Sequence, residues 1–190
     1  MEWLFEFPDI LSPNLTAIDT AVRNFAVWAD PVLSAISDGL KGMVNGINFL
    51  LSHIPWLLLV LLVVLVSWKA RKRLRTAILY GVLFSLVGAV GYWEMMLVTL
   101  SIVIASVIIA LVLGLPIGVL LSSSDRANQI VRPVLDTMQT MPVFVYLIPA
   151  LLLFGTGNAP AVMATVIYAV VPSIRLTSLG IRQVDREVVE

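Results

Sequence analysis

The 190-residue sequence contains no cysteine, which excludes disulfides, thiolate metal sites and cysteine nucleophiles. Histidine occurs once, at His53. A lone imidazole without suitably spaced partners does not make a metal site, so no metal is expected. There is no GxxxxGK[ST] pattern, so the chain is not expected to hold ATP in a P-loop of its own, and no bound cofactor is assigned to it. Ser122, Ser123 and Ser124 have no neighbouring base and read as a loop or helix cap. Charge is also scarce, at 13% of residues against about 25% in an average soluble domain. The opening residues, MEWLFEFPDI, lack the cationic start and apolar centre of a cleavable signal peptide.

What is present is aliphatic. Hydrophobic residues make up 59% of the chain and the mean hydropathy is +1.00. They form long runs, the mark of a polytopic membrane protein and not of a greasy soluble core. The expected fold is therefore all-α, with about five transmembrane helices preceded by interfacial amphipathic helices. Three regions are expected: an extracytoplasmic arm with amphipathic helices at 1–53, two accessory membrane helices at 54–94, and the start of a transmembrane domain at 95–190.

In the first region, Trp3, Phe5 and Phe7 read as an irregular interfacial arm. Leu15, Ile18, Val22, Phe25 and Ala29 form one helical stripe. Asp30-Pro31 has the form of an N-cap followed by proline at the first helical position, which predicts a second helix there. Its stripe is Val32, Ile36, Leu40, Met43, Ile47 and Leu51. Polar residues lie off both stripes, so these helices are expected to rest on the membrane or pack on the bundle.

Apolar spans are predicted near 49–68, 76–93, 95–121, 132–157 and 161–178, with a loop from Ser122 to Arg132 and a turn at Gly155-Thr-Gly-Asn-Ala-Pro160. Gly114-Leu-Pro-Ile-Gly118 supplies a GxxxG spacing that permits close helix approach. Between the first two spans sit Lys69, Arg71, Lys72, Arg73 and Arg75, five basic residues in seven. A cytoplasmic loop obeying the positive-inside rule explains this run better than a nucleic-acid patch. The alternation then places ten of the twelve basic residues inside and leaves Arg23 and Lys41 outside. The expected topology is multi-pass, with the N-terminus outside. The five tryptophans suggest a cage for a quaternary ammonium group, but Trp56, Trp68 and Trp93 fall at span ends, where interfacial placement explains them.

The segment from Arg132 to Gly157 carries the chemistry. Asp136, Gln139 and Thr140 share a helix face at its entrance, and Pro142 and Pro149 interrupt it. Polar groups and proline-freed carbonyls are costly in hydrocarbon unless they face protein or water, so the segment reads as pathway lining. Gln139, Thr140, Phe144 and Tyr146 are the candidate pathway residues. Asp136 and Arg175 are predicted at similar depth, as an ion pair closing two helix ends.

Three blocks together carry a family resemblance. They are Arg132-Pro-Val-Leu-Asp-Thr-Met-Gln-Thr-Met-Pro-Val-Phe-Val-Tyr-Leu-Ile-Pro149, Leu153-Phe-Gly-Thr-Gly-Asn158, and Val171-Pro-Ser-Ile-Arg-Leu-Thr-Ser-Leu-Gly-Ile-Arg-Gln-Val184. They resemble the permease subunit of bacterial glycine betaine/proline ABC importers, most closely from about Met95 onward. The resemblance implies a type I importer of the bacterial cytoplasmic (inner) membrane: a second permease copy, a cytoplasmic ABC ATPase that carries ATP and Mg, and an extracytoplasmic osmolyte-binding protein. It also implies that Asp185, Glu187 and Glu190 approach the ATPase-coupling motif, with Glu190 at that motif's first glutamate. A chain ending there is expected to be truncated and unable to transport by itself. Two other classes compete. One is a non-transporting scaffold or ionic-strength sensor, in which Lys69, Arg71, Lys72, Arg73 and Arg75 contact anionic membrane lipid. The other is a passive channel, disfavoured by the lack of a recognisable filter or charged pore ring.

Overall fold

The computed structural model describes residues 12–184. The arm at 1–11 and the coupling residues Asp185, Glu187 and Glu190 lie outside them. Seven helices follow one another: α1 (Ser12–Ser52), α2 (Trp56–Arg71), α3 (Leu74–Ala89), α4 (Trp93–Ser122), α5 (Asp125–Thr140), α6 (Phe144–Phe154) and α7 (Asn158–Arg182). The described residues contain no strand, as an aliphatic sequence without period-two alternation requires.

Two helices, α4 and α7, are each long and apolar enough to cross a bilayer. Helix α1 meets α2 at a 94° bend and α5 meets α6 at 88°, and each bent pair passes the same test as one broken span or re-entrant loop. Helix α3 is apolar but has only 16 residues, short of the roughly 20 needed for the hydrocarbon core. The five expected apolar segments are thus all helical, but only two are complete crossings by themselves.

Packing of α4 on α7 forms the centre. A Cβ on Gly114 would lie 2.6 Å from Ser173 Cβ, and one on Gly118 would lie 2.8 Å from the Ile174 carbonyl oxygen. Side chains are excluded there, so the two backbones meet directly, as small-residue spacing permits in membranes. On one side of this seam Val44 of α1 packs with Ala105, Val162 and Val166. On the other, Leu135 of α5 packs with Leu121, Val171 and Ile174.

Three expectations are corrected. Asp30-Pro31 does not start a new helix, because α1 runs through Pro31 without a break. Proline deprives the Val27 carbonyl of its usual donor, and α1 tolerates this where Val27 and Trp28 are exposed. The stretch Ser122 to Arg132 is not a loop. Helix α5 begins at Asp125, and its N-cap Ser124 accepts a hydrogen bond from the Ala127 amide at 3.3 Å. Finally, the segment from Arg132 to Gly157 is not one helix. Met141 takes the extended conformation (φ −73°, ψ 135°) that a following proline favours, and the chain turns sharply into α6. The turn after α6 holds Gly155 at φ +71° and Gly157 at φ +131°, angles that side-chain-bearing residues rarely adopt.

Candidate functional site at the junction of α4, α5 and α7

The 88° bend between α5 and α6 leaves a backbone problem that the sequence solves locally. In a continuous helix the Met138 carbonyl would accept from the amide of residue 142, but Pro142 has none. The Tyr146 hydroxyl donates to Met138 O instead, at 2.9 Å. Thr137 O accepts from both the Met141 amide at 3.1 Å and Thr140 Oγ1 at 2.9 Å, so backbone and side chains together close the last turn of α5. Orphan carbonyls in a lipid environment cost several kcal/mol each, on the order of an unmade hydrogen bond. Tyr146 therefore staples the bend.

Two ion pairs fasten α5 to α7. Arg175 Nη2 donates to Asp136 Oδ1, which puts these two residues together. The second pair was not anticipated: Arg182 Nη1 donates to Asp125 Oδ1 at 2.6 Å, while its Nη2 donates to the Leu121 carbonyl at 3.1 Å. Arg182 lies in the last turn of α7 and Asp125 in the first turn of α5, so each charge also complements its own helix dipole. Asp136 and Asp125 are 54% and 82% exposed, which limits each pair to about 1 kcal/mol or less. Their value is positional. They fix the α5 entrance against the end of α7.

A cavity of about 230 Å³ opens beside these pairs, lined by Arg132, Arg175, Arg182, Asn128, Leu135 and Leu179 among others. Arg175 Nε is buried there without a hydrogen-bond partner. A second cavity of about 490 Å³ lies between α2, α3 and α4, with Trp56 and Trp93 in its wall.

Gln139 and Thr140 are exposed at the α5 terminus, and Phe144 is exposed at the start of α6. Neither cavity is lined by Gln139, Thr140, Phe144 or Tyr146. The basic run forms the turn between α2 and α3. Lys72 caps α2 in the left-handed conformation, with its amide bonded to Trp68 O, and all five basic side chains are exposed. His53 sits at the α1–α2 bend, its Nδ1 2.8 Å from Phe49 O. Among the described residues no group of His, Asp and Glu has metal-binding spacing.

Residues 110–190, which include this junction, match the family described as the binding-protein-dependent transport system inner membrane component. The chain belongs to that permease family. The glycine betaine transport system permease protein of Bacillus subtilis is 44% identical over 178 residues, covering 94% of this chain and 63% of the relative. The glycine betaine/carnitine transport permease protein of Listeria monocytogenes is 41% identical over 194 residues, with 94% and 66% covered. The glycine betaine/proline betaine transport system permease protein of Escherichia coli is 38% identical over 204 residues, with 100% and 57% covered. The permease chain therefore spans about three fifths of the length of these relatives. The signal for the second ion pair was legible in principle: Ala127, Val131, Leu135 and Met138 recur at helical spacing and pack as one face, which places Asp125 and Asp136 on a single helix.

Proposed function

We propose that this chain forms part of the translocation pathway of an ATP-driven importer for glycine betaine- or proline-type osmolytes. The observation that carries this reading is the bent α5–α6 pair, stapled by Tyr146 and clamped to α7 by Asp136–Arg175. Such a helix break is stable at membrane depth only where protein or water covers the freed backbone, the arrangement found where broken helices line solute sites. The relatives named for glycine betaine permeases supply the substrate class.

In this reading a second permease copy completes the passage, and an extracytoplasmic binding protein delivers the solute. A separate cytoplasmic ATPase holds ATP and Mg and drives alternating access. Gln139, Thr140 and Phe144 face the passage in the assembled dimer. A betaine zwitterion is strongly hydrated, so polar side chains and water at the α5 terminus replace its hydration shell. Asp185, Glu187 and Glu190 lead into the ATPase contact, and the ion pairs relay movement of α7 to α5. The N-terminus lies outside, which puts the α2–α3 turn, α5 and the end of α7 on the basic cytoplasmic side.

A second reading is supported by the five exposed, unpaired basic side chains of the α2–α3 turn. They suit contact with an anionic membrane surface, in a scaffold or ionic-strength sensor. Proteoliposomes containing the whole assembly separate the two. Accumulation of labelled glycine betaine that requires ATP and the binding protein is expected. Equilibration without ATP, or no uptake at all, would refute the importer reading.

A further inference from the structure

The cavity between α4, α5 and α7 is lined by three arginines, and the transport reading uses only two of them, Arg175 and Arg182. Arg175 and Arg182 each direct one edge at a carboxylate, Asp136 and Asp125 respectively. Arg132 has neither an ion pair nor a hydrogen bond to its side chain among the described residues, and it faces the same space. Arg175 Nε is buried without an acceptor. Three guanidinium groups against two carboxylates leave one positive charge in excess. Opposite them the wall is hydrocarbon: Leu135 and Ile174 are buried, and Leu179 leads outward to the exposed surface.

We propose that this cavity binds the phosphodiester headgroup of an anionic phospholipid. The layout joins an anion-seeking edge to an apolar wall, and a phospholipid has the matching pair of features in one molecule. A free phosphate ion would leave the leucine wall unused. Arg132 donates to the phosphate oxygens with the Arg175 and Arg182 charges beside it, the Asn128 amide meets the polar glycerol region, and Leu135 and Leu179 bear on the first methylenes. With the orientation proposed above the cavity opens on the cytoplasmic side, where basic clefts between helices attract anionic headgroups. The inference does not depend on which solute is carried, and it survives if transport by this assembly is disproved.

The test is native mass spectrometry of the intact permease in its assembled complex, equilibrated with phosphatidylglycerol or phosphatidylcholine. Phosphatidylglycerol is expected to be retained preferentially. Arg132→Gln, whose side chain is exposed and unpaired, is expected to reduce retention about fivefold, the effect of one basic group at an anionic surface. Arg132→Lys retains the charge and is expected to keep most of the binding. Lys41→Gln on α1, far along the chain from the cavity lining, is expected to leave retention unchanged. Equal retention by Arg132→Gln and the parent would overturn the assignment, as would an equal loss on Lys41→Gln. Complete displacement by millimolar inorganic phosphate would show an ordinary anion site and reject the lipid.

Discussion

The parallel α4–α7 pair and the antiparallel α2–α3 pair are both apolar neighbours, yet they are built on different principles. Between α4 and α7 the glycines let backbone meet backbone, and α4 buries Ser101, Ala105, Ser106, Ala110, Gly114 and Gly118 along one face. Between α2 and α3 the buried residues are only Leu59, Ala77 and Gly81. A Cβ at Gly81 would press on a single methyl of Val64, at 2.5 Å. Lipid is as apolar as leucine, so hydrophobicity does not hold such helices together. Close packing of small residues does. The first pair is a fixed frame for the bend at Met141-Pro142, and the second is an attachment whose outer faces are shaped for lipid.

The largest contrast is expected from matched substitutions. Gly118→Leu forces a side chain into the Thr177 Cβ and the Ile174 carbonyl, which are backbone-anchored and cannot swing aside. Overpacking of this kind costs about 3 kcal/mol or more. Gly81→Leu meets a rotatable valine methyl and is expected to cost about 1 kcal/mol. Thermal melts of the detergent-solubilised complex check this; equal losses in the two variants would erase the distinction.

Next in size is Tyr146→Phe. Removing the hydroxyl strands the Met138 carbonyl, whose normal partner Pro142 cannot supply, at a cost of about 1–3 kcal/mol. The same substitution at Tyr80 on the α2–α3 pair is expected to change the melt by no more than about 0.5 kcal/mol. A silent Tyr146→Phe would show that water or a neighbouring subunit satisfies the carbonyl.

The ion pair comes third. Asp136→Asn and Arg175→Gln are each expected to destabilise modestly, and a double-mutant cycle should return a coupling of about 0.5–1 kcal/mol at low salt. The coupling is expected to shrink in high salt, because the pair is partly exposed. A coupling near zero at low salt would remove the clamp from the account.

The smallest effect is expected at the α2–α3 turn. Replacing Lys69, Arg71, Lys72, Arg73 and Arg75 by glutamine should alter the melt by within about 0.5 kcal/mol per residue. Their exposed side chains form no ion pair among the described residues. Their loss is expected to appear instead as mixed membrane orientation, measured by protease access from one side. A uniform orientation in that variant would locate the topological signal elsewhere.

The sequence carried long-range information where chemistry was unambiguous. Apolar length gave the membrane segments, GxxxG marked α4 as able to approach another helix closely without naming which, and the glycines at 155 and 157 marked a turn. It carried less where one local pattern serves two structures. Asp30-Pro31 has the same form whether proline starts a helix or sits inside one, and packing of Leu40, Met43, Val44 and Ile47 on the bundle settles the matter for α1. Polar residues from Arg126 to Arg132 looked like a loop because composition outweighed period. Their apolar positions follow a helix, and Leu135 and Ile174 draw that face inward. The bend itself depends on Tyr146 reaching back eight residues, a contact beyond the reach of any local pattern.

The central claim is that the stapled end of α5 faces an aqueous passage. The absence of native cysteine in this sequence allows a direct test with single cysteines at Gln139, at Thr140, and at Leu152, which is 66% exposed on α6. In the assembled transporter, a membrane-impermeant charged thiol reagent should modify positions 139 and 140 at rates that change with ATP, and should leave position 152 unreacted in lipid. Unreactive cysteines at 139 and 140 in every nucleotide state, or reactivity equal to that at 152, would contradict it.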